Sequence, residues 1–455
     1  MNHLPEDVII MIFEYLDNDS MLSVIQASTF FANIFSSSSK LLLKFNLFIY
    51  PENINQLLQN EPIANISFKN VTLSSFTVDS STKLHELLKI FNFSIEILKL
   101  QNVTFNSFES FAQTFLPMLS LKSLHLEKCS IGGKIIRSLP PIQTLKSIIF
   151  DECRGNLFKY FKNQRSVEKI GICRHKWTSI AFSITDFNKM ASNLPSLSHL
   201  VMDGTGTSGY FDCGQFPFKI QKLEAFLMTF NWTQTIPRLD FLKSQQGYLK
   251  ELTIHKLPYD YDGGEMIKFI IEEIKLEKFN FGQIPLILNG RKQDVKELTA
   301  WEVNITAAFE IFRQFPSIQT FTLFLTQTHL NQSNINDIVK PRTDIFQNLK
   351  NLDILDHSGS YSHPTKFIGL YKNCKNITRL SLRTNNNVND ILTECLSYFT
   401  NLNEIYLTTG KDKSKESLKI IKNLAPNLKK LSVAKEVVND AKNMFGNDVE
   451  IIEIS

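Results

Sequence analysis

The sequence has no long hydrophobic run and almost no excess of charge of either sign. Its most apolar early stretch, Leu41 to Tyr50, is about half as long as a bilayer requires and is interrupted by Lys44. The first residues, Met1 to Asp7, lack the basic region, apolar core and small-residue cleavage site of a secretory signal. We therefore expect neither a membrane protein nor a secreted one, but a protein of the cytoplasm, the nucleus or both.

Cysteine is also scarce, and what there is has no metal-binding spacing. Six cysteines are scattered over 455 residues without a Cys-x-x-Cys pair, so neither a disulfide framework nor a zinc site is expected. No paired histidines take metal-ligand spacing on a helix. The formal net charge is only +4, and the basic residues are spread along the chain. The sequence therefore predicts no cofactor, no metal and no nucleic-acid partner.

Catalytic motifs are missing as well. No serine or cysteine lies in a nucleophile elbow. One Gly-x-Gly-x-x-Gly segment, from Gly204 to Gly209, follows an apolar stretch that resembles a strand. A dinucleotide site needs such a loop to open a helix, and Tyr210 to Pro217 has no helical pattern. We therefore predict no catalytic residue and no enzyme.

The first forty residues predict three short amphipathic helices. In the first, Val8, Ile9, Ile12, Phe13 and Leu16 share one face, and Pro5 suits its first turn. Two more helices carry the apolar groups Met21, Leu22, Ile25, Phe30, Phe31, Ile34 and Phe35. Three such helices are too small to bury all these groups among themselves, so part of the apolar surface needs a partner.

The run from Leu4 to Asp17, with Leu-Pro, an Ile-Phe pair and a following Leu at fixed spacing, resembles the F-box. The resemblance covers roughly Leu4 to Phe35 and implies docking on a Skp-type adaptor, and through it on a cullin. Ala27 and Phe31 depart from the family pattern, which usually has valine and tryptophan there. Carried onto this chain, the implied adaptor-binding residues are Leu4, Pro5, Val8, Ile9, Ile12, Phe13, Leu16 and Leu22. The alternative is that these helices only cap the repeats that follow.

From residue 63 onward one motif recurs, an apolar residue followed at the third and fifth positions by two more. Sixteen copies run from Ile63-Ile66-Phe68 to Val449-Ile452-Ile454, with Leu223-Phe226-Met228 among them. Ile66 and Ile452 are 386 residues and fifteen steps apart, a mean of about 26, which lies within the period of leucine-rich repeats.

Between copies the apolar period changes from two to 3.6, as a strand followed by a helix requires. Phe187, Met190, Ala191 and Leu194 give one such helix. Leu121 to Ile131, with Cys129, resembles the cysteine-containing leucine-rich repeats found behind F-boxes, and Cys153 falls at the matching position.

The predicted fold is α/β: a three-helix F-box over 1–40, a connecting segment over 41–62, and a leucine-rich-repeat horseshoe over 63–455. A parallel sheet would line its concave face.

The concave face of that horseshoe is the predicted target site. Sixteen strands at about 4.8 Å spacing give an arc on the order of 75 Å, which suits a protein partner better than a small molecule. Large aromatic residues and arginine are enriched in binding hot spots. They concentrate in the later strands, and the predicted target-binding residues are Trp301, Phe324, Asp353, Arg379, Arg383 and Tyr406.

Together these features predict a substrate-recognition subunit of a Skp-cullin-F-box ubiquitin ligase, which would tie a protein target to ubiquitin-dependent degradation. The alternative is a free-standing repeat protein that scaffolds or inhibits a partner without any ligase.

Overall fold

A computed structural model of the chain describes residues 4–60, 63, 66–79, 83–91, 94–116, 118–133, 137–153, 157–173, 184–203, 219–227, 242–254, 269–270, 273–281, 295–301, 315–325, 347–356, 374–384, 388–408 and 414–454. It divides into two compact units. The first comprises Met1–Glu224 and Thr229–Ser244, and the second comprises Ala225–Met228 and Gln245–Ser455. None of the described helices has the length and apolar character needed to cross a membrane.

The first unit begins with four consecutive helices. They are α1 (Glu6–Tyr15), α2 (Asn18–Ala27), α3 (Thr29–Ser37) and α4 (Ser39–Lys44). Helix α2 starts where the sequence offers a cap, because the Asp17 carboxylate accepts a hydrogen bond from the Ser20 amide at 2.8 Å. That hydrogen bond lowers the pKa of Asp17. The three-helix pattern predicted for the N-terminus is therefore present, with a fourth short helix behind it.

The rest of the first unit is built on parallel strands, each followed by a turn and often a helix. The main strands are β1 (Asn46–Ile49), β2 (Asn70–Ser74), β4 (Ile97–Gln101), β6 (Ser123–Glu127), β8 (Ser147–Asp151), β9 (Lys169–Cys173) and β10 (His199–Asp203), paired in that order. Three two-residue strands, β3 (Thr77–Val78), β5 (Thr104–Phe105) and β7 (Ser130–Ile131), form a second small parallel sheet. The helices are α5 (Ile54–Gln59), α6 (Leu84–Phe91), α7 (Phe108–Phe115) and α8 (Ile184–Ala191), with a 3₁₀ turn at Phe158–Tyr160.

Strand β11 (Lys222–Leu227) crosses the boundary between the units. The second unit contains β12 (Glu251–Ile254), β13 (Lys278–Phe281), β14 (Glu297–Trp301), β15 (Thr320–Leu325), β16 (Asn351–Asp356), β17 (Arg379–Thr384), β18 (Glu404–Thr408), β19 (Lys430–Ala434) and β20 (Glu450–Ile454), each parallel to the next. Its described helices are α9 (Val388–Leu396), α10 (Ser414–Leu424) and α11 (Val438–Phe445), with a 3₁₀ turn at Lys435–Val437. Counted over both units, seventeen of the described strands are parallel main strands. This arrangement is consistent with leucine-rich repeats.

The apolar motif explains how the strands stack. Its second and third apolar residues lie inside each strand and point to one side, as Leu98 and Leu100 do in β4, both fully buried. The intervening residues point to the opposite side, which we call the open face. At the start of most of the described main strands two successive amides converge on one carbonyl of the preceding repeat. For example, the amides of Lys122 and Ser123 donate to Glu96 O at 2.7 and 3.0 Å.

Each early strand ends at a residue in the left-handed conformation. Ser75, Asn102, Lys128 and Glu152 have φ between 48° and 63°, directly after β2, β4, β6 and β8. The amide of each donates to the last residue of the next strand, as Lys128 N does to Asp151 O at 2.8 Å. These hydrogen bonds help to maintain the unfavourable φ, and they fix the last side chain of each strand at the edge of the open face.

The predicted cysteine positions are buried just beyond these turns. Cys129 is 1% exposed and its Sγ donates to Leu100 O at 3.3 Å, while Cys153 Sγ donates to Leu126 O at 3.1 Å. Each thiol thus satisfies a carbonyl of the neighbouring repeat. In the second unit, burial raises the pKa of the Cys374 and Cys395 thiols, which therefore stay protonated.

Three predicted copies of the motif are out of register with the strands. The last, Val449-Ile452-Ile454, is shifted by one residue, because Leu431 pairs with Ile451 and Ser432 with Ile452. The first was placed at Ile63-Ile66-Phe68, but β2 starts at Asn70, and Val71 pairs with Leu98. Phe68, Val71 and Leu73 are therefore its apolar positions, five residues later. The strand before it, β1, lies in the predicted connecting segment and was missed.

The copy at Leu223-Phe226-Met228 is displaced by three residues. The amides of Gln221 and Lys222 both donate to Ser198 O, in the pattern found at the start of most of the described main strands. Ile220 and Leu223, both fully buried, are therefore the first two apolar positions of this copy. The prediction was wrong here because Phe226 and Met228 repeat the same apolar spacing three residues further on.

An ion pair network at the edge of the first unit gives a testable stability effect. Glu96 contacts Lys69 at 2.7 Å and Lys122 at 2.6 Å, and hydrogen bonds from Lys122 and then Lys69 lower its pKa. We expect Glu96→Gln to cost roughly 1 kcal/mol of unfolding free energy at pH 7. Because the pKa is lowered on folding, this contribution is present above the unfolded value of about 4.3 and is lost as the pH falls through the folded value.

Denaturant unfolding of the wild type and of Glu96→Gln, at pH 7 and near pH 3, measures the difference in their unfolding free energies. The control is Glu168→Gln, because among the described residues the Glu168 carboxylate pairs with one lysine, Lys146, and both side chains are about half exposed. It should cost less than about 0.5 kcal/mol. A Glu96→Gln penalty that is unchanged at the acidic pH would contradict the assignment.

Candidate functional site

Helix α1 exposes a continuous apolar face. Val8, Met11, Ile12 and Tyr15 are 38%, 58%, 44% and 64% exposed, and their spacing places them along one side of the helix. Leu4, 40% exposed, lies just before the first residue of the helix. The opposite side is buried against the other helices. Exposed apolar groups that are contiguous, unlike scattered ones, mark a surface that binds a partner. We call these five residues the α1 face.

The eight residues implied as adaptor-binding divide between this face and the interior. Leu4, Pro5, Val8 and Ile12 are exposed, and Leu16 and Leu22 are half-buried. Ile9 and Phe13 are each 2% exposed, so they hold the helices together and are not available for contact. Met11 and Tyr15 were not among the eight, although their spacing from Val8 and Ile12 signals the same face.

Aromatic packing fixes the orientation of the α1 face. The Phe13 ring packs edge-on against Phe31 at a centroid distance of 6.0 Å and lies 6.5 Å from Phe35. Phe31, which stands where the F-box family usually has tryptophan, therefore fills an aromatic packing position. The far end of α1 is held by two lysines of α4, since Lys44 Nζ donates to Glu14 O and Lys40 pairs with the Glu14 carboxylate at 2.7 Å.

The six predicted target-binding residues lie on five successive parallel strands of the second unit, β14 to β18. Strand pairing aligns Trp301 with Phe324, and aligns Phe324 with Leu355. Leu355 in turn aligns with Arg383. The side chains of Trp301 and Phe324 lie outside the described part of the structure. Their backbone positions place them in one row across the sheet.

The remaining four residues form a polar patch on the open face, which we call the β16–β18 patch. Arg379 and Arg383 are exposed, and the Arg383 guanidinium lies over the Tyr406 ring at 5.0 Å from its centroid. Asp353 accepts a hydrogen bond from Thr322 Oγ1 at 3.3 Å through Oδ2. Its Oδ1 is buried and has no hydrogen-bond partner among the described residues. The patch thus offers two cationic donors and one unused acceptor.

A second polar group lies on the open face of the first unit, and the sequence analysis missed it. It comprises Lys99, His125, Glu127 and Asp151, which we call the charged cluster. Strand pairing aligns Lys99 with His125 and aligns Glu127 with Asp151. The Lys99 ammonium lies 2.7 Å from Glu127 Oε2, and Gln101 Nε2 donates to Glu127 Oε1 at 3.4 Å.

The charged cluster is unusual because its carboxylates are buried. Glu127 is 6% exposed and Asp151 is 4% exposed. His125 Nε2 lies 3.5 Å from Asp151 Oδ2 and makes no hydrogen bond to any residue in the described part of the chain. Burial lowers the pKa of His125, and Lys99 lowers it further, while Asp151 raises it by less. The imidazole is therefore neutral near pH 7. An alignment of the repeat copies by their apolar residues would have placed Lys99 and His125 at one equivalent position, and Glu127 and Asp151 at another.

The glycine-rich segment from Gly204 to Gly209 lies outside the described residues.

Comparisons with known proteins add little to this geometry. No protein-family model matches the chain, and no curated protein matches it. Among solved structures, the chain is similar to one whose title is "Crystal structure of TLR13-ssRNA13 complex". The sequences are 13% identical, and the match covers 90% of this chain and 73% of that chain with a TM-score of 0.35. A likeness at that level assigns no function.

Proposed function

We propose that this chain is the substrate-recognition subunit of a Skp-cullin-F-box ubiquitin ligase. In this proposal the N-terminal helices bind a Skp-type adaptor, the repeats bind a protein target, and other subunits supply the ubiquitin chemistry. The single observation that carries the proposal is the α1 face, on which five apolar side chains are more than a third exposed. This face coincides with the segment from Leu4 to Asp17 that resembles the F-box.

The α1 face needs a partner on physical grounds. Burying apolar surface contributes about 25 cal/mol per Å², and large exposed aliphatic groups gain most from it. An amphipathic helix gains that energy by laying its apolar side in a hydrophobic groove of another protein. Phe30, 40% exposed at the start of α3, adds a further large apolar group to the exposed surface of these helices. A helix that only capped the repeats would turn such groups inward.

The direct test is binding of the purified full chain to a purified Skp-type adaptor. We expect a one-to-one complex that co-elutes in size-exclusion chromatography and gives a saturable heat signal in calorimetry. With cullin and the remaining ligase subunits added, the complex should carry out ubiquitin transfer. Absence of any adaptor complex would contradict the proposal and favour the free-standing scaffold or inhibitor.

We propose that the protein target binds to the β16–β18 patch together with the row that contains Trp301 and Phe324. The guanidinium of arginine presents a planar fork of hydrogen-bond donors. Stacking on the Tyr406 ring holds the Arg383 guanidinium partly in place. Less conformational entropy is then lost on binding.

We expect Arg383→Ala to cost about 2 kcal/mol or more of target binding, because the substitution removes a preorganised donor fork. The measurement is proximity labelling in cells, comparing each partner's enrichment by the wild-type chain with that by the variant. Lys375→Ala is the matched control, since Lys375 is an exposed cation in the turn before the same strand. If every partner is enriched equally by wild type and Arg383→Ala, the patch is not the target site.

A further inference from the structure

The charged cluster brings together three side chains of types that ligate metal ions. One imidazole nitrogen of His125 and one carboxylate oxygen each of Glu127 and Asp151 all lie within 4.8 Å of one another. Around a Zn²⁺ ion the ligand distances are about 2.0–2.2 Å, so ligand atoms lie roughly 3–3.5 Å apart. Small side-chain rotations would bring these three atoms to that spacing. One nitrogen and two oxygens form a donor set suited to a divalent transition metal.

The backbone holds these residues in place without any loop. His125 and Glu127 are two residues apart on β6 and therefore point to the same face. Asp151 is the register partner of Glu127 on β8, and the Lys128 amide donates to Asp151 O at 2.8 Å. A site on adjacent strands is more rigid than one on loops, so little order has to be created when an ion binds.

A second observation, separate from the carboxylates, also points to a ligand. The His125 side chain is 26% exposed, but its Nε2 atom is buried, lies 3.5 Å from Asp151 Oδ2 and has no hydrogen bond among the described residues. A buried polar atom that makes no hydrogen bond is destabilising, and a bound ion or water is one explanation for it. A metal ion between the imidazole and the two carboxylates would use this nitrogen as a ligand.

Lys99 sets the expected strength of the site. Its ammonium lies 2.7 Å from Glu127 Oε2, where it neutralises part of the negative charge that would attract an ion. The Lys99 side chain is one-third exposed, so it can move into solvent when a cation takes its place. We propose that His125, Glu127 and Asp151 form a binding site for a divalent transition-metal cation, and that Lys99 is the internal cation displaced when the metal binds.

Zn²⁺ is the probe for the test, titrated into the full chain by calorimetry at pH 7. We expect one site that is weakened at least tenfold in both Asp151→Asn and His125→Gln. Lys99→Met should bind Zn²⁺ several-fold more tightly than wild type, because it removes the competing ammonium. This gain counts only if Lys99→Met stays folded, because an unfolded chain would expose buried cysteines that also bind Zn²⁺.

The matched control is His85→Gln, because the ring of His85 lies next to Ser110 O, away from the charged cluster. It should bind Zn²⁺ as the wild type does, which separates this site from other histidines and cysteines. Circular dichroism confirms that each variant is folded. Equal Zn²⁺ binding by wild type, Asp151→Asn and His125→Gln would overturn the proposal, and so would weaker binding by Lys99→Met.

Discussion

Replacing Phe35 by alanine should destabilise the first unit by roughly 3–5 kcal/mol, the cost of removing a large buried aromatic side chain. Phe35 is fully buried, and its ring lies 5.3 Å from Phe45 and 6.3 Å from Phe68. Phe45 and Phe68 also contact each other, at 5.7 Å. One precedes β1 and the other precedes β2, so this cluster joins α3 to the start of the sheet.

A loss of that size is a large fraction of the stability of a typical domain. Denaturant unfolding followed by circular dichroism measures it. The control is Phe30→Ala on the same helix, where the side chain is 40% exposed and the cost should stay below about 1 kcal/mol. Equal losses for the two variants would show that the phenylalanine cluster does not join the helices to the sheet.

The repeat architecture could be predicted from the sequence because one simple pattern controls it. An apolar residue followed at fixed spacing by two more gives a strand with one buried side, and this repeats about every 26 residues. The strands β4, β6 and β8 occur where the pattern places them. The predicted register of a copy was wrong where apolar residues are abundant. In the segments around Ile63 and Phe226 more than one register satisfies the pattern, and only the backbone hydrogen bonds between repeats choose among them.

Strand β1 was missed for the opposite reason. Leu47 and Ile49 are its inward residues and are fully buried, but the motif's first apolar position falls on Lys44. Phe45, one residue later, is buried in its place. A pattern search that requires three apolar positions rejects such a strand. Its pairing with β2 depends on contacts between repeats that no single repeat contains.

The charged cluster could not be found from single residues, since each of its members is an ordinary polar residue within a strand. What distinguishes it is proximity between repeats: 24 residues separate Glu127 from Asp151, and strand pairing aligns them. Burial of both carboxylates depends on their neighbours on either side. By contrast, the α1 face has a local signal in its helical spacing, although that spacing assigned Val8, Ile9, Ile12 and Phe13 to one face. The sequence did not predict that Ile9 and Phe13 would face inward while Val8 and Ile12 stay exposed.

Substitutions on the α1 face distinguish the proposed ligase subunit from a simple helical cap. We expect Ile12→Asp to weaken adaptor binding at least about 30-fold, since truncating a central apolar anchor typically costs 2 kcal/mol or more. A carboxylate in an apolar interface adds a desolvation penalty to that loss. Combining it with Met11→Asp should abolish detectable binding. Ile12 is 44% exposed and Met11 is 58% exposed, so neither change removes a core residue.

Calorimetry with the purified adaptor measures the affinity, and thermal unfolding checks that the helices stay folded. The matched control is Asn33→Asp on α3, which adds the same charge at an exposed position without removing an apolar group. It should bind the adaptor within a factor of about three of wild type, because surface charge changes are worth less than about 0.5 kcal/mol. If Ile12→Asp binds as well as Asn33→Asp does, the α1 face is not the adaptor site. The N-terminal helices would then serve as a cap for the repeats.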